Sequence, residues 1–417
     1  MSLVADGPLE IRKFPGNQDC QSSLAAVTAL GAKLQKTETG LQLAPPEGPF
    51  PADLIVDCGN SGTTTRLLSG IIAGTETEVT LTGDESLRSR PMKRIIDPLT
   101  TMGARLFSDD GRLPMRIQGG NLTSFEYRLP VASAQVKSAL LLAGLASSCS
   151  IIVREDHITR DHTERMIAHL GEGIVTRDVK PVMVADPIDP RKRKMVRQEP
   201  FKREITLDRK AIVHGGEIDI PGDLSTAAFF LAAAAISGRT VTVEGLGLNP
   251  TRTAFLDHLR AIGCTVEISD KKLISGEPRG TVKVTGGQLR ARKISGAQTV
   301  ALIDEIPIIS VMAAFSKGTT IIRDAAELKV KESDRLAATA HNLNLMGARC
   351  GVMEDGLAID PGMEKSGADF VGFGDHRIAM AFSIAALFLE GPSSIDDDSV
   401  VAISCPEFYD LLKQITS

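Results

Sequence analysis

Residues Leu336–Ala348 read Leu-Ala-Ala-Thr-Ala-His-Asn-Leu-Asn-Leu-Met-Gly-Ala. Leu336, Ala340, Leu343 and Gly347 recur at helical spacing, so the stretch is predicted to be a helix. It closes on Met346-Gly347-Ala348, where a glycine just past the last turn supplies a left-handed residue leading into a strand. The same phrase stands at Leu30-Gly31-Ala32, Met102-Gly103-Ala104 and Ile262-Gly263-Cys264, with Leu170-Gly171 as a weaker fifth. A second phrase, a helix followed by a small polar turn and a β-branched strand, stands at Gly74–Thr82, Ser147–Val153, Gly238–Val243 and Lys317–Arg323. The spacing of roughly 70–90 residues exceeds that of solenoid repeats and fits a repeated α/β subdomain.

Just before this helix lies Lys329-Val330-Lys331-Glu332-Ser333-Asp334-Arg335. The cations Lys329, Lys331 and Arg335 are thus expected at a helix N-terminus, the end that carries partial positive charge and normally recruits Asp or Glu. An anionic ligand would account for them, because free N–H groups and the helix dipole favour anions there. The oddity recurs. Asp375-His376-Arg377 opens Ile378–Leu389, with Asp375 as N-cap. Arg90-Pro91-Met92-Lys93-Arg94 is expected to set Pro91 at a first helical position between cations. Ser133-Ala134-Gln135-Val136-Lys137 opens Ser138–Ala146, and Arg160-Asp161-His162-Thr163-Glu164-Arg165 opens another helix. A solvated cation explains any one of these; together they point to a shared polyanionic ligand.

The remaining features bound the function. A chain of 417 residues suggests two or more domains. The apolar fraction of 42% and charged fraction of 24% are those of a globular protein. Trp is absent and aromatics make up 4%, which disfavours base-stacking platforms; the net charge of −5 argues against a nucleic-acid scaffold but allows a local basic pocket. No apolar run is long enough to span a bilayer, and no signal-peptide pattern opens the chain. Cys20, Cys58, Cys149, Cys264, Cys350 and Cys405 are scattered without paired spacing, as reduced thiols are. Cys58 reads as a small buried hydrophobe, and His157 and His162 lack partners at metal-site spacing.

Taken in order, Leu9–Arg12 is a predicted strand and Ser22–Gly31 a helix. Strand Leu54–Asp57 runs through the turn Gly59-Asn60-Ser61-Gly62-Thr63 into helix Thr64–Ala73. That turn could bring backbone N–H groups to a phosphate, although it is neither a Walker loop nor GxGxxG. The basic run within Arg191–Arg203 reads as a solvated loop or hairpin inserted in a repeat. Val213–Pro221 fits a hinge before helix Ser225–Ile236. Helices Thr253–Gly263, Ile308–Phe315 and Phe408–Ile415 follow. Asp304 and Glu305 stand before the second of these, where carboxylates are ordinary caps.

Six motifs together resemble the 5-enolpyruvylshikimate-3-phosphate synthase family: Gly59–Thr63, Arg90-Pro91-Met92, Ser133–Ala139, Arg160–Glu164, Leu328–Arg335 and Gly374-Asp375-His376-Arg377. Order and spacing agree from about residue 5 to the C-terminus, and the Ser133-Ala134-Gln135 wording is similar to the bacterial branch called class II. The resemblance implies a two-domain inside-out α/β barrel of repeated βαβαββ units. Residues 1–217 would form the N-terminal domain, its first repeat cut short and its basic insertion near 186–209; residues 218–417 would form the C-terminal domain. It implies facing domains with helix N-termini lining a cleft, closing to complete the site.

The resemblance also implies a reaction of the shikimate pathway, on the way to chorismate and the aromatic amino acids. The 5-hydroxyl of shikimate 3-phosphate attacks C2 of phosphoenolpyruvate, C3 is protonated, and the adduct loses phosphate. No cofactor or metal is implied, nor a nucleic-acid or membrane partner; a cytoplasmic monomer is expected. Arg90, Arg335 and Arg377 would grip phosphoenolpyruvate, since a guanidinium suits forked recognition of phosphate and carboxylate. Gly62 would let the backbone approach that ligand. Ser133, Ala134, Gln135, Arg160 and Lys331 would bind shikimate 3-phosphate. Asp304 would be the general base, and Glu332 would move the proton at C3.

Two departures from the family pattern stand out. The family begins with a Pro-Gly-Asp/Ser-Lys-Ser segment, whereas Met1-Ser2-Leu3-Val4-Ala5-Asp6-Gly7 is similar to the residues just after it; without that Lys, a catalytically impaired pseudoenzyme or binding fragment of the same fold is the alternative. Some members carry a Lys before a late Phe-Pro pair, where this chain reads Ile403-Ser404-Cys405-Pro406. The related UDP-N-acetylglucosamine enolpyruvyl transferases usually carry a Cys in the loop before their Arg-Pro, and Gly83–Ser89 has none.

Overall fold

The computed structural model describes residues 1–185, 193–196 and 199–416. They form two compact units. The first comprises Met1–Arg12 and Ser23–Ile218, the second Lys13–Ser22 and Asp219–Ser417. The Gln18–Ala29 helix starts and ends slightly earlier than the predicted Ser22–Gly31.

In the first unit, strand Leu54–Asp57 leads to helix Gly62–Ala73, strand Glu78–Thr82, helix Lys93–Met102 and the hairpin Arg105–Ser108/Met115–Gln118. The first two strands pair in parallel and the hairpin closes the sheet antiparallel, giving a βαβαββ unit. Phe125–Arg128, Ala134–Ser147, Ile151–Glu155, His162–Leu170, Gly171–Asp178 and Arg203–Val213 repeat the scheme with the same pairing senses. Leu9–Arg12, Lys33–Thr37 and Gly40–Ala44 form a further antiparallel set. The core helices Gly62–Ala73 and Ala134–Ser147 cross closely. A Cβ on Gly70 would lie 2.0 Å from the Ala139 carbonyl oxygen, so only glycine permits the crossing.

The second unit carries three core helices, Leu224–Ser237, Ile306–Ala314 and His376–Ala386. Each is nearly apolar all round and almost wholly buried, as such helices must be. Leu231, Val311, Met312, Phe382 and Phe408 belong to their common core. Surface helices Ala254–Ile262 and Arg335–Leu345 each follow a strand and precede a hairpin.

The helix-ending glycines behave as the sequence predicts: Gly31, Gly103, Gly263 and Gly347 have φ of 99°, 119°, 114° and 91°. Gly171 differs. Its φ is −162°, so the His162–Leu170 helix passes directly into an extended strand.

Several expectations need correction. Pro91 is not a first helical residue: Arg90 is extended at φ −78° and ψ 140°, and the helix begins at Lys93 behind Met92. A residue before proline is pushed out of the helical region, so the chain leaves one short helix, Glu85–Ser89, before starting the next. Lys329 is not at a helix N-terminus either. It lies in the last turn of a 3₁₀ helix, Ala326–Val330, and donates to the Glu354 carbonyl at 2.7 Å. Only Arg335 opens the following α-helix, with Asp334 as N-cap. Of the basic run, Arg191, Lys192 and Arg197 lie outside the described residues, while Arg193–Val196 pairs antiparallel with Val182–Ala185, the hairpin among the two expected forms. At its end, Arg203 pairs with Asp178 at 2.6 Å.

Candidate active site

In the first unit the turn after strand Leu54–Asp57 is held by its own side chains. Ser61 caps the Gly62–Ala73 helix by accepting from the Thr64 amide. The Asn60 amide donates to Asp84 at 2.7 Å, and its oxygen accepts from Arg90 Nη2 at 2.8 Å. Arg90 also reaches Ser86 Oγ at 3.3 Å. One turn into the helix, Arg66 Nη1 donates to Gln135 Oε1 at 2.9 Å, and Gln135 Nε2 donates to Thr63 Oγ1 at 2.9 Å. A Cβ on Gly62 would lie 2.7 Å from Arg66 Nη1 and 3.4 Å from Arg90 Nη1. Gly62, Arg90 and Gln135, expected from the sequence, therefore converge on one spot. Arg66 joins them, although the sequence reading did not single it out; its position one helical turn past Gly62 was the available signal.

Ser133 caps the Ala134–Ser147 helix through the Val136 amide at 3.4 Å, so Ser133, Ala134 and Gln135 share its leading turn. Arg160 is half-buried in the loop before the His162–Leu170 helix. Two contacts tie that helix to Ala134–Ser147: Ser138 Oγ to Thr163 Oγ1 at 2.7 Å, and Lys137 Nζ to Glu164 Oε1 at 2.7 Å. Lys137 is fully buried and also lies 3.1 Å from Glu155. Its charge, counted in the sequence among those awaiting a ligand, is spent inside the unit. Arg165 likewise turns back to Asp161 at 2.8 Å.

In the second unit Asp304, Lys331, Glu332, Arg335 and Arg377 come together. Asp304 Oδ1 lies 3.7 Å from Arg335 Nη1 and 3.9 Å from Lys331 Nζ. The Asp304 carbonyl accepts from Arg377 Nη1 at 3.1 Å. Arg335 is buried: Nη2 donates to Glu332 at 2.6 Å, while Nε and Nη2 donate to Asp375 at 2.7 and 3.2 Å. Asp375 further accepts from the Ser333 hydroxyl and, as N-cap, from the Arg377 amide. Burial works to raise the Asp375 pKa, but the Arg335 charge and these hydrogen bonds outweigh it and hold the carboxyl well below its usual range. Burial, then the neighbouring Arg377, lower His376 to about 4, so its imidazole is neutral.

Glu305 corrects the capping expectation. It precedes the Ile306–Ala314 helix in N-cap position, yet its side chain makes no capping bond. It turns instead to Arg252 Nη2 at 3.2 Å and accepts from Ser225 Oγ at 2.6 Å. The Cys58 thiol is buried and burial pushes it up to about 11, which removes it as a nucleophile near neutral pH. Among the described residues no group of three or more His, Cys, Asp or Glu side chains could hold a metal ion, and no helix is long and apolar enough to cross a membrane.

Each unit thus gathers guanidinium groups at the starts of its core helices, and the second adds carboxylates among them. The family model described as EPSP synthase (3-phosphoshikimate 1-carboxyvinyltransferase) matches residues 1–195 and 193–412. The chain belongs to the EPSP synthase family. It is 45% identical over 417 residues to a 3-phosphoshikimate 1-carboxyvinyltransferase of Anaeromyxobacter sp. (strain K), covering 99% of this chain and 89% of that protein. A relative of the same name from Geobacter sulfurreducens is 39% identical over 420 residues, covering 100% and 92%. The fold matches the solved EPSP synthase from Acinetobacter baumannii with a TM-score of 0.79 at 34% identity, covering 99% and 91% of the two chains. The repeated βαβαββ units are those of this two-domain family fold.

Proposed function

We propose that this chain transfers the enolpyruvyl group of phosphoenolpyruvate to the 5-hydroxyl of shikimate 3-phosphate and releases phosphate. Asp304 carries the reading: a carboxylate at the start of a buried helix, within 4 Å of two cations, one of which, Arg335, it shares with Glu332. Asp304 takes the hydroxyl proton as that oxygen bonds to C2, and Glu332 delivers a proton to C3. The tetrahedral adduct then loses its C2–phosphate bond. Glu332 recovers a proton from C3, and the departing phosphate takes up the proton held by Asp304.

Arg90, Arg335 and Arg377 serve the phosphate and carboxylate of phosphoenolpyruvate, with Gly62 admitting that ligand beside the backbone. Ser133, Ala134, Gln135, Arg160 and Lys331 serve shikimate 3-phosphate. Convergence of Gly62, Arg90 and Gln135 supports the first unit's part in this. The class II wording at Ser133–Gln135, a division into domains 1–217 and 218–417, a cytoplasmic location and a monomeric state complete the proposal.

The test is steady-state phosphate release from the two substrates. The wild-type chain is expected to turn over, and Asp304→Asn to lose about 10²- to 10⁴-fold in kcat with an unchanged urea midpoint. A variant that retains full kcat would remove Asp304 from the mechanism.

A further inference from the structure

Arg335 and Arg252 occupy corresponding places in successive repeats of the second unit. Arg335 opens the surface helix Arg335–Leu345, and Arg252 lies just before the surface helix Ala254–Ile262. Arg335 extends from the start of its own repeat's core helix, at Asp304, to the start of the next, at Asp375. Arg252 makes the same reach one repeat earlier. It donates to Ser225 Oγ at the start of Leu224–Ser237 and to Glu305 Oε1 at the start of Ile306–Ala314.

Asp304 and Glu305 are adjacent, so each arginine takes one of the two carboxylates at the head of this helix. The Glu305 side chain is 1% exposed and that of Arg252 8%. A carboxylate buried to that degree cannot swing away from Arg252 without stranding a buried guanidinium. The Asp304 carbonyl, on the opposite side of the same peptide, is tied to Arg377 at 3.1 Å. The backbone at 304–305 is therefore held from two directions.

We propose that Arg252 is a positioning residue for Asp304: by anchoring Glu305 it fixes the peptide that aims the Asp304 carboxylate, without meeting substrate itself. The inference rests on Asp304 being the base. Displacement of a catalytic group by about 1 Å can cost on the order of 10²-fold in rate, so loss of the anchor falls on the chemical step. Ser225 donates to the same carboxylate, but its hydroxyl carries no charge and does not replace the guanidinium.

The experiment is a double-mutant cycle on phosphate release with Arg252→Met, Asp304→Asn and the pair. Arg252→Met is expected to lower kcat about 30- to 100-fold while both KM values move less than about threefold. In the Asp304→Asn background the same change is expected to cost less than about threefold, because the group it positions is gone. Arg252→Lys keeps a cation in the slot and is expected to recover part of kcat. It carries the same cycle if the Met variant does not fold. Additive losses in the cycle, or raised KM with intact kcat, would overturn the role of Arg252. Full kcat in Asp304→Asn alone would instead overturn the base on which it rests.

Discussion

Lys137 Nζ lies 2.7 Å from Glu164 in the first unit, and Arg335 Nε lies 2.7 Å from Asp375 in the second. All four side chains are buried, yet the two carboxyls titrate in opposite directions. Glu164 is raised, by burial first, with the nearby Glu155 adding to it against the pull of Lys137. Asp375 is lowered in spite of burial. The difference lies in direction and number of donors. Arg335 presents a fork, and Asp375 also receives the Ser333 hydroxyl and the Arg377 amide. Lys137 offers Glu164 a single ammonium in poor hydrogen-bond geometry, and its pull does not offset burial. At Asp375 the Arg335 charge and the hydrogen bonds together outweigh burial; at Glu164 burial, with a second carboxyl beside it, outweighs Lys137.

The sharpest way to break this comparison is to remove the better-satisfied carboxylate. Asp375→Asn leaves Arg335 buried with its bidentate partner gone, and stability is expected to fall by about 3–5 kcal/mol. Urea unfolding of the variant checks this. A loss below about 1 kcal/mol would mean that Glu332 and Asp304 suffice to hold Arg335.

The pH dependence of the second unit follows from His376 and His258, and then from Asp375. An unfolded imidazole takes its proton near 6.5, whereas folded His376 waits until about 4. The unfolded chain therefore binds more protons across that window, and acid favours unfolding. At about 1.4 kcal/mol per pH unit the full contribution is about 3 kcal/mol, present above 6.5 and lost by about 4. Below that range protonation of Asp375, whose folded pKa is depressed, removes further stability. Burial, then Arg292, lower His258 to about 4 as well, so urea midpoints between pH 7 and 4 are expected to decline in the wild type and about half as steeply in His376→Gln. An equal decline in both would assign the acid limb elsewhere.

Arg90→Ala tests the first unit's side of the division of labour. Arg90 is oriented within its unit by an amide and a hydroxyl oxygen, and its substitution is expected to weaken phosphoenolpyruvate binding by about 1.5–3 kcal/mol. Isothermal titration reads the affinity, and the melting temperature should hardly move. A large drop in melting temperature with affinity intact would make Arg90 structural.

What the sequence disclosed was local. Ser133 and Asp375 cap the helices they precede, and the glycines at 31, 103, 263 and 347 take the left-handed turn, because those effects act within a few residues. The six motifs carried the family and hence the fold. What stayed hidden was the destination of each charge. Arg66 meets Gln135 across 69 residues and Arg252 meets Glu305 across 53. A lysine such as Lys137 reads the same in sequence whether it faces a ligand or a carboxylate on another helix. Glu305 looked like a cap because position is visible in sequence and side-chain direction is not.

The smallest expected effect is the most discriminating. Burial raises the Glu164 pKa, so Glu164→Gln puts a neutral group of the same shape where the carboxyl favours its protonated form, and Lys137 keeps Glu155 at 3.1 Å. Stability near pH 5 is then expected to change by less than about 1 kcal/mol. The wild type should also lose ground as pH rises, since a raised folded pKa means that the folded chain binds more protons above the usual carboxyl range. The Gln variant lacks that titration, so its advantage should grow from pH 5 to pH 8, opposite in sign to the His376 limb. Urea midpoints of the two chains over that range make the comparison. A Gln variant that instead loses several kcal/mol at every pH would place an ionised Glu164 against Lys137 and make the two buried clusters alike after all.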